Sequence, residues 1–93
     1  MPSGDAIKDR TRLLEELKQN VKNQRFERLC GIAERFGFRF RGGKGSHRVF
    51  VRTGIGEILT LQNVGGKAKP YQVRQLIKII EEHRLHEEGE QHA

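Results

Sequence analysis

A histidine lies among glycines and basic residues near the middle of this 93-residue chain. The stretch from Gly42 to Phe50 reads GGKGSHRVF, so that His47 follows Lys44 and Ser46 and precedes Arg48. Glycines allow positive φ angles and let a phosphate approach the backbone, while Lys44 and Arg48 supply positive charge. His47 is the one side chain of this stretch suited to proton transfer near neutral pH. The pattern predicts an RNA site around a titratable group.

The chemistry that this group could perform is cleavage of RNA without a metal ion. A base takes the proton of a 2′-OH group, and the oxygen then attacks the neighbouring phosphorus. Imidazole suits this task because its unperturbed pKa is about 6.5. Lys44, Arg48 and Lys67, with N–H groups of the glycine loops, are candidates for stabilising the charge on the phosphate. One histidine does not comfortably serve as base and acid at once, so we expect either slow turnover or an unassigned acid such as Lys44 or water. DNA, which lacks the 2′-OH, should resist cleavage.

Charge and composition favour a polyanionic partner. The formal net charge is +6, and residues 22–52 contain nine basic residues against two acidic ones. Nucleic acid is the first expectation and an anionic membrane surface the second. No apolar run approaches the roughly 20 residues that span a bilayer, and the start is not that of a secretory signal. The lone Cys30 leaves no internal disulfide, which fits a reducing compartment. Together these features predict a cytoplasmic protein with no membrane contact.

Hydrophobic spacing predicts the elements that position this stretch. An amphipathic helix is expected from Asp5 to about Val21, and a second from Phe26 to Phe36 with Gly37 as its C-cap. Alternation predicts strands over residues 38–41, 47–52 and 57–62, with the phenylalanines mostly in the core and the face of Phe50 undecided. Residues 64–69 are expected to form a second basic glycine loop. Pro70 then begins a last helix, and residues 81–93 are expected to fray into a polar tail.

The order of these elements predicts an α+β fold. A three-stranded antiparallel sheet with helices on one face gives the α-β-β-β-α order of a double-stranded-RNA-binding domain, preceded by an extra N-terminal helix. Such a match is one of fold and shows no activity by itself.

Three stretches resemble the HicA (YcfA-like) family, small mRNA-cleaving toxins of type II toxin-antitoxin systems. They are residues 29–38, a short helix ending in glycine; residues 44–50, KGSHRVF; and residues 65–77, where GGKAKP leads into the last helix. The chain departs from the family pattern in its first helix, in its acidic tail, and in Tyr71-Gln72 after Pro70, where a glycine-threonine pair is common. The resulting division is an amphipathic helix at 1–22, a HicA-like domain at 23–83 and an acidic polar tail at 84–93.

The resemblance implies that His47 is the catalytic residue and that a HicB-like antitoxin covers the active face. The expected RNA-binding residues are Lys44, Gly45, Ser46, Arg48, Gly66, Lys67 and Lys69. No cofactor is expected. His83 and His86, with Glu82 and Glu87, resemble a metal cluster only loosely, so no metal requirement is predicted.

Two other functions compete with that of an RNA endonuclease. A non-catalytic RNA-binding module would use the same basic loops, with His47 only contacting the RNA. An interaction domain would pair its first helix with a partner helix and its basic face with an acidic protein. Neither glycine loop has the spacing of the phosphate-binding motif of nucleoside triphosphatases, so nucleotide hydrolysis is not expected.

Overall fold

The computed structural model describes residues 3–88, and the side chains of residues 8–88. Three α-helices, two short 3-10 helices and four strands follow one another along the chain. They are α1 (Ser3–Gln19), a 3-10 helix (Val21–Asn23), α2 (Phe26–Arg35), β1 (Arg39–Gly42), β2 (His47–Arg52), β3 (Ile55–Val64), β4 (Lys67–Ala68), α3 (Pro70–Glu82) and a second 3-10 helix (Leu85–Glu87).

The strands form one antiparallel sheet in the order β1-β2-β3-β4. Helices α2 and α3 pack against one face of this sheet. The expected α+β class, with the helix-sheet order of a double-stranded-RNA-binding domain after an extra helix, is confirmed. The predicted count of three strands is corrected to four by the short β4.

The extra strand arises from a tight hairpin. Gly65 and Gly66 have φ angles of 62° and 89°, and Val64 pairs with Lys67 across them. Positive φ at both central residues is the type I′ geometry that matches the twist of paired strands, which makes Gly-Gly a strong hairpin signal. The segment expected to be an open basic loop is therefore mostly a hairpin.

Helix α1 belongs to the same hydrophobic core as the rest of the molecule. Leu13, Leu14 and Leu17 are at most 9% exposed and join the core cluster of α2, α3 and the sheet. Ion pairs fasten the helix at several points: Arg28 to Glu16 (2.7 Å), Lys18 to Glu81 (2.9 Å) and Arg35 to Asp9. The first helix therefore completes the core, as an outer layer against α2 and α3.

The segment after α3 packs against the core as far as residue 88. Leu85 is 2% exposed, and Glu88 forms an ion pair with Arg52 of β2 at 2.7 Å. The predicted fraying is wrong for residues 81–88: Glu81 and Glu82 belong to α3, and the apolar side chain of Leu85 lies among the helices. The remainder of the expected acidic tail, residues 89–93, lies outside the described residues.

Candidate nucleic-acid interface

Side-chain alternation along β2 gives the sheet two different faces. Phe50 is 1% exposed and pairs with the buried Leu59 under the helices, so it belongs to the core. Residues 47, 49 and 51 must then point to the other side. We call this side the open face; it carries His47, Val49 and Val51 of β2, Arg39 of β1, and Ile58, Thr60 and Gln62 of β3.

His47 begins β2 on the open face, where its side chain is exposed. A turn leads into it, with Gly45 at φ 59° and the His47 N–H donating to the Lys44 carbonyl oxygen at 3.0 Å. Gln62 stands opposite it on β3. Among the described residues no side-chain hydrogen bond engages the imidazole. The ring is therefore accessible to a ligand in solution.

Gly43 fixes the path of the loop beneath His47. Its φ is 143°, and a Cβ at this position would overlap the carbonyl oxygen of His47 and lie 3.1 Å from Cα of Arg48. Only glycine permits so close an approach of the two backbone segments.

Lys44, Gly45 and Ser46 lie next to His47, as the sequence predicts. All three are exposed, and the described residues provide no ion-pair partner for Lys44. The carbonyl oxygen of Ser46 accepts a hydrogen bond from the N–H of Asn63 at 2.9 Å. The loop thus combines a solvated ammonium group with a backbone held firmly to β3.

Arg48 lies on the opposite side of the sheet from His47. Its guanidinium forms two hydrogen bonds with the Glu27 carboxylate, at 3.0 and 3.1 Å, and stacks 5.0 Å from the centre of the Phe26 ring. The hydrogen bond to Glu27 raises the pKa of Arg48. The side chain thus links α2 to the sheet, and RNA binding by Arg48 stays a prediction.

The second glycine segment is occupied mainly by its own structural contacts. The Gly66 N–H donates to Oδ1 of Asn63 at 2.7 Å, and the Gly66 carbonyl accepts from the Phe26 N–H at 2.9 Å. Nζ of Lys67 donates to Oδ1 of Asn23 at 3.2 Å. Lys69 is the N-cap residue of α3, where it precedes Pro70. Gly66 therefore has little backbone capacity left for a phosphate.

Two residues absent from the sequence-based set join these pieces together. Asn63 binds Ser46 through its N–H and Gly66 through its side chain, so it bridges both glycine segments. Gln72 of α3 is 3% exposed, and its Oε1 accepts the N–H of Gln62 at 2.8 Å, beyond the end of the short β4. In the sequence, the position of Asn63 three residues before Gly66 could have pointed to its role, whereas nothing in the sequence marks Gln72.

The site is a surface rather than a pocket. One cavity of about 460 Å³ lies between α1 and α2, at Leu13 and Arg28. Another of about 410 Å³ lies between α2 and the edge of the sheet, lined by Cys30, Glu34, Phe40, Arg48 and Phe50. Neither contains His47. An exposed imidazole on an open surface suits a polymer better than a small molecule, which is normally enclosed.

The groove beside α2 corrects the expected environment of one phenylalanine. Phe40 is 57% exposed and touches Phe50 edge-on, with ring centres 6.1 Å apart. It lies on the core side of β1, but β1 is the edge strand and covers only one flank of the ring. Cys30 in the same groove is buried as predicted, and this burial raises the pKa of its thiol.

Metal-ligand clusters and membrane-spanning helices are absent from the described part of the chain. Residues 8–88 contain no group of three or more His, Cys, Asp or Glu side chains arranged to hold a metal ion. His83 contacts Glu57 at 3.1 Å, while His86 lies 3.6 Å from Glu87. None of the helices in residues 3–88 has the length and apolar character needed to cross a bilayer.

Part of the chain matches a known protein family. The family model described as the HicA toxin of bacterial toxin-antitoxin systems matches residues 26–81, which is more than half of the chain. The match begins at the first residue of α2 and ends within α3, so it includes all four strands and leaves α1 outside. Neither the curated proteins nor the solved structures include a match to this chain.

Proposed function

Because the chain belongs to the HicA family of toxins, mRNA-cleaving components of bacterial toxin-antitoxin systems, we propose that it is a metal-independent endoribonuclease with His47 as its general base. The observation that carries the proposal is the exposed imidazole of His47 at the start of β2, three residues after Lys44, whose ammonium has no ion-pair partner within residues 8–88. The family assignment makes the protein a toxin with an RNA substrate and an antitoxin partner.

The proposed step is an internal transfer at phosphorus. The imidazole of His47 accepts the proton of a ribose 2′-OH, and the 2′ oxygen forms a bond to the adjacent phosphorus. The bond from phosphorus to the 5′ oxygen of the next nucleotide breaks, and that oxygen takes a proton from water or from Lys44. The products are a 2′,3′-cyclic phosphate and a 5′-OH end.

Charge on the phosphate in the transition state is met by nearby cations and N–H groups. Lys44 is the nearest candidate by sequence and has no ion-pair partner among the described residues. The backbone N–H groups of Gly45 and Ser46 lie in the same turn, and we propose that they donate to a phosphate oxygen. Lys67 and Lys69, at the hairpin and at the start of α3, are proposed to bind more distant phosphates.

The proposed antitoxin is HicB-like, and the proposed place of action is the cytoplasm, where messenger RNA is translated. An antitoxin that covers His47 and the Lys44 loop would block access to the base without any change in the fold. Such an inhibitor needs acidic side chains to match the basic loop.

The test is cleavage of a long single-stranded messenger RNA in the presence of a chelator. The parent protein is compared with His47→Ala and with His83→Ala, a matched control that removes an imidazole on the helix side of the sheet. We expect the parent and His83→Ala to cut, leaving 2′,3′-cyclic or 3′-phosphate ends, and His47→Ala to bind RNA without cutting.

Other outcomes point to specific alternatives. Binding without cleavage by all three proteins would favour the non-catalytic RNA-binding module. Equal cleavage by all three would remove His47 from the mechanism. Cleavage that the chelator abolishes would contradict metal independence.

A further inference from the structure

Every lysine or arginine that forms an ion pair within residues 8–88 lies on the helix side of the sheet. The paired cations lie on the helices, on the segment after α3, or on the helix side of β2. Within residues 8–88 they are Lys18, Arg28, Arg35, Arg48, Arg52, Lys78 and Arg84. The helix side of the molecule therefore neutralises much of its own charge.

Among the described residues, the open face contains cations and no acidic group. Between Glu34 and Glu81 the sequence has a single acidic residue, Glu57. Its carboxylate lies on the helix side, where it bonds to His83 at 3.1 Å. Arg39 and Arg41 are exposed on β1, and the described residues include no carboxylate within ion-pair distance of either one. The described residues thus leave the positive potential on this side uncompensated.

Strand pairing and a bulge place both arginines on the face that carries His47. Arg39 stands opposite Val51 and Gly42 opposite Val49, and Arg41 is the extra residue of the bulge between Phe40 and Gly42. Because two residues of a bulge oppose one residue of the partner strand, Arg41 lies on the side of Val49. Val49 and Val51 follow His47 at two-residue steps, each about 7 Å along the strand. The two guanidinium groups therefore extend the basic surface along β1, which is the strand next to the one that carries His47.

We infer that the RNA strand reaching His47 continues over the open face, with its phosphates bound by Arg41 and Arg39 of β1. This inference rests on the proposed function. In it, Arg41 takes the role that the sequence suggests for Arg48, because Arg41 lies on the side of His47 and has no ion-pair partner among residues 8–88. Guanidinium groups bind phosphate oxygens through paired N–H donors.

The remaining side chains of the open face indicate whether this surface distinguishes between RNA sequences. Val49, Val51 and Ile58 make this part of the open face aliphatic. The neighbouring Phe40 and Phe50 lie on the other side of the sheet. Bases stack on aromatic rings in many single-strand-binding proteins, and the described open face has none. Phosphate contacts carry no sequence information, so this part of the track should bind different sequences equally.

The test measures RNA affinity against salt concentration in a His47→Ala background, which keeps the RNA intact. Arg39→Gln, Arg41→Gln and the double variant are compared with Lys78→Gln. This control removes one exposed positive charge from α3, on the helix side of the sheet. Labelled single-stranded RNAs of two unrelated sequences are titrated from 50 to 200 mM salt. Thermal melts check that the variants fold.

We expect each arginine variant to lower the slope of log affinity against log salt by about 0.7, the value for one single-strand phosphate contact. The double variant should lose both contacts, equally for the two RNAs, while Lys78→Gln keeps the parent slope. An unchanged slope and affinity in the folded double variant would overturn the inference and leave this face to an acidic protein partner.

The inference and the proposed function fail in different ways. If the parent with His47 intact cuts RNA but the double variant binds like the background protein, only the open-face track is wrong. If the parent neither cuts nor binds RNA, both are wrong. A loss of affinity confined to one of the two RNA sequences would contradict phosphate contact by the arginines.

Discussion

The backbone of Gly43 lies directly against the backbone of His47, so that a Cβ on residue 43 would overlap the His47 carbonyl oxygen. We expect Gly43→Ala to be destabilising because the loop must move away from β2 and because its φ of 143° is strained for alanine. Relief of such an overlap costs about 1–3 kcal/mol. Urea unfolding measures this free energy, and cleavage should fall as the start of β2 is displaced.

Gly42→Ala is the matched control for this prediction. Gly42 has a similar φ of 155°, but a Cβ there meets no atom within 4 Å. The two variants share the conformational cost and differ in the overlap. Equal stability of Gly42→Ala and Gly43→Ala would show that the loop relaxes freely, and the close approach would then not determine the position of His47.

A second prediction concerns Gln72, whose side chain supports β3 opposite His47. Gln72→Leu leaves the N–H of Gln62 without its acceptor, which costs about 1–3 kcal/mol for a partly buried donor. We expect faster amide hydrogen exchange at Gln62, measured by NMR. Gln75→Leu is the control, because Gln75 is half-buried on the same helix and has no side-chain hydrogen bond with the described residues.

The exchange rates of the other amides show how far along the sheet the hydrogen bond of Gln72 has a stabilising effect. If Gln72→Leu lowers protection at Gln62 but leaves distant amides of β2 unchanged, the hydrogen bond stabilises only this end of the sheet. Unchanged exchange at Gln62 would contradict the bond itself.

The helices could be predicted from the sequence because their apolar spacing is regular. Phe26, Leu29 and Ala33 recur at helical intervals, and Gly37, with φ 90°, ends the segment as expected. The grouping of Lys44 to His47 could also be predicted, since four consecutive residues in a short loop cannot separate far. Local patterns were sufficient for these features.

The division of β2 between two faces could not be predicted in the same way. Val49, Phe50 and Val51 are all apolar, so alternation alone does not say which set is buried. Pairing of Phe50 with Leu59 beneath the helices decides it, and Arg48 then lies opposite to His47. The exposure of Phe40 likewise depends on β1 being an edge strand, which requires the strand order of the whole sheet.

A third prediction tests whether α1, which lies outside the family match, is needed for the core. Leu17 has 0% exposure among α2 and α3. We expect Leu17→Ala to cost about 2–5 kcal/mol, since it leaves a cavity in a packed interior. Ile58→Ala, at a side chain that is 49% exposed on the open face, should cost no more than about 1 kcal/mol.

Urea unfolding of the two variants provides the comparison. Similar small costs for both would mean that α1 is an appendage whose removal the domain tolerates. A large cost for Leu17→Ala alone would make α1 part of the folding unit, despite its position before residue 26.

A fourth prediction concerns stability in acid and depends on Glu57. Hydrogen bonds from its own backbone N–H and from His83 lower the pKa of this carboxyl below the ordinary 4.5. A lowered folded-state pKa means that the carboxylate stabilises the fold fully above about pH 4.5, and that this contribution is lost as pH falls through the folded value. Glu57→Gln should therefore flatten the acid limb of the stability curve. His83→Ala keeps the backbone hydrogen bond, so the slope of its acid limb should lie between those of the parent and Glu57→Gln. Urea unfolding at a series of pH values measures the curves, and parallel acid limbs for the parent and Glu57→Gln would contradict the prediction.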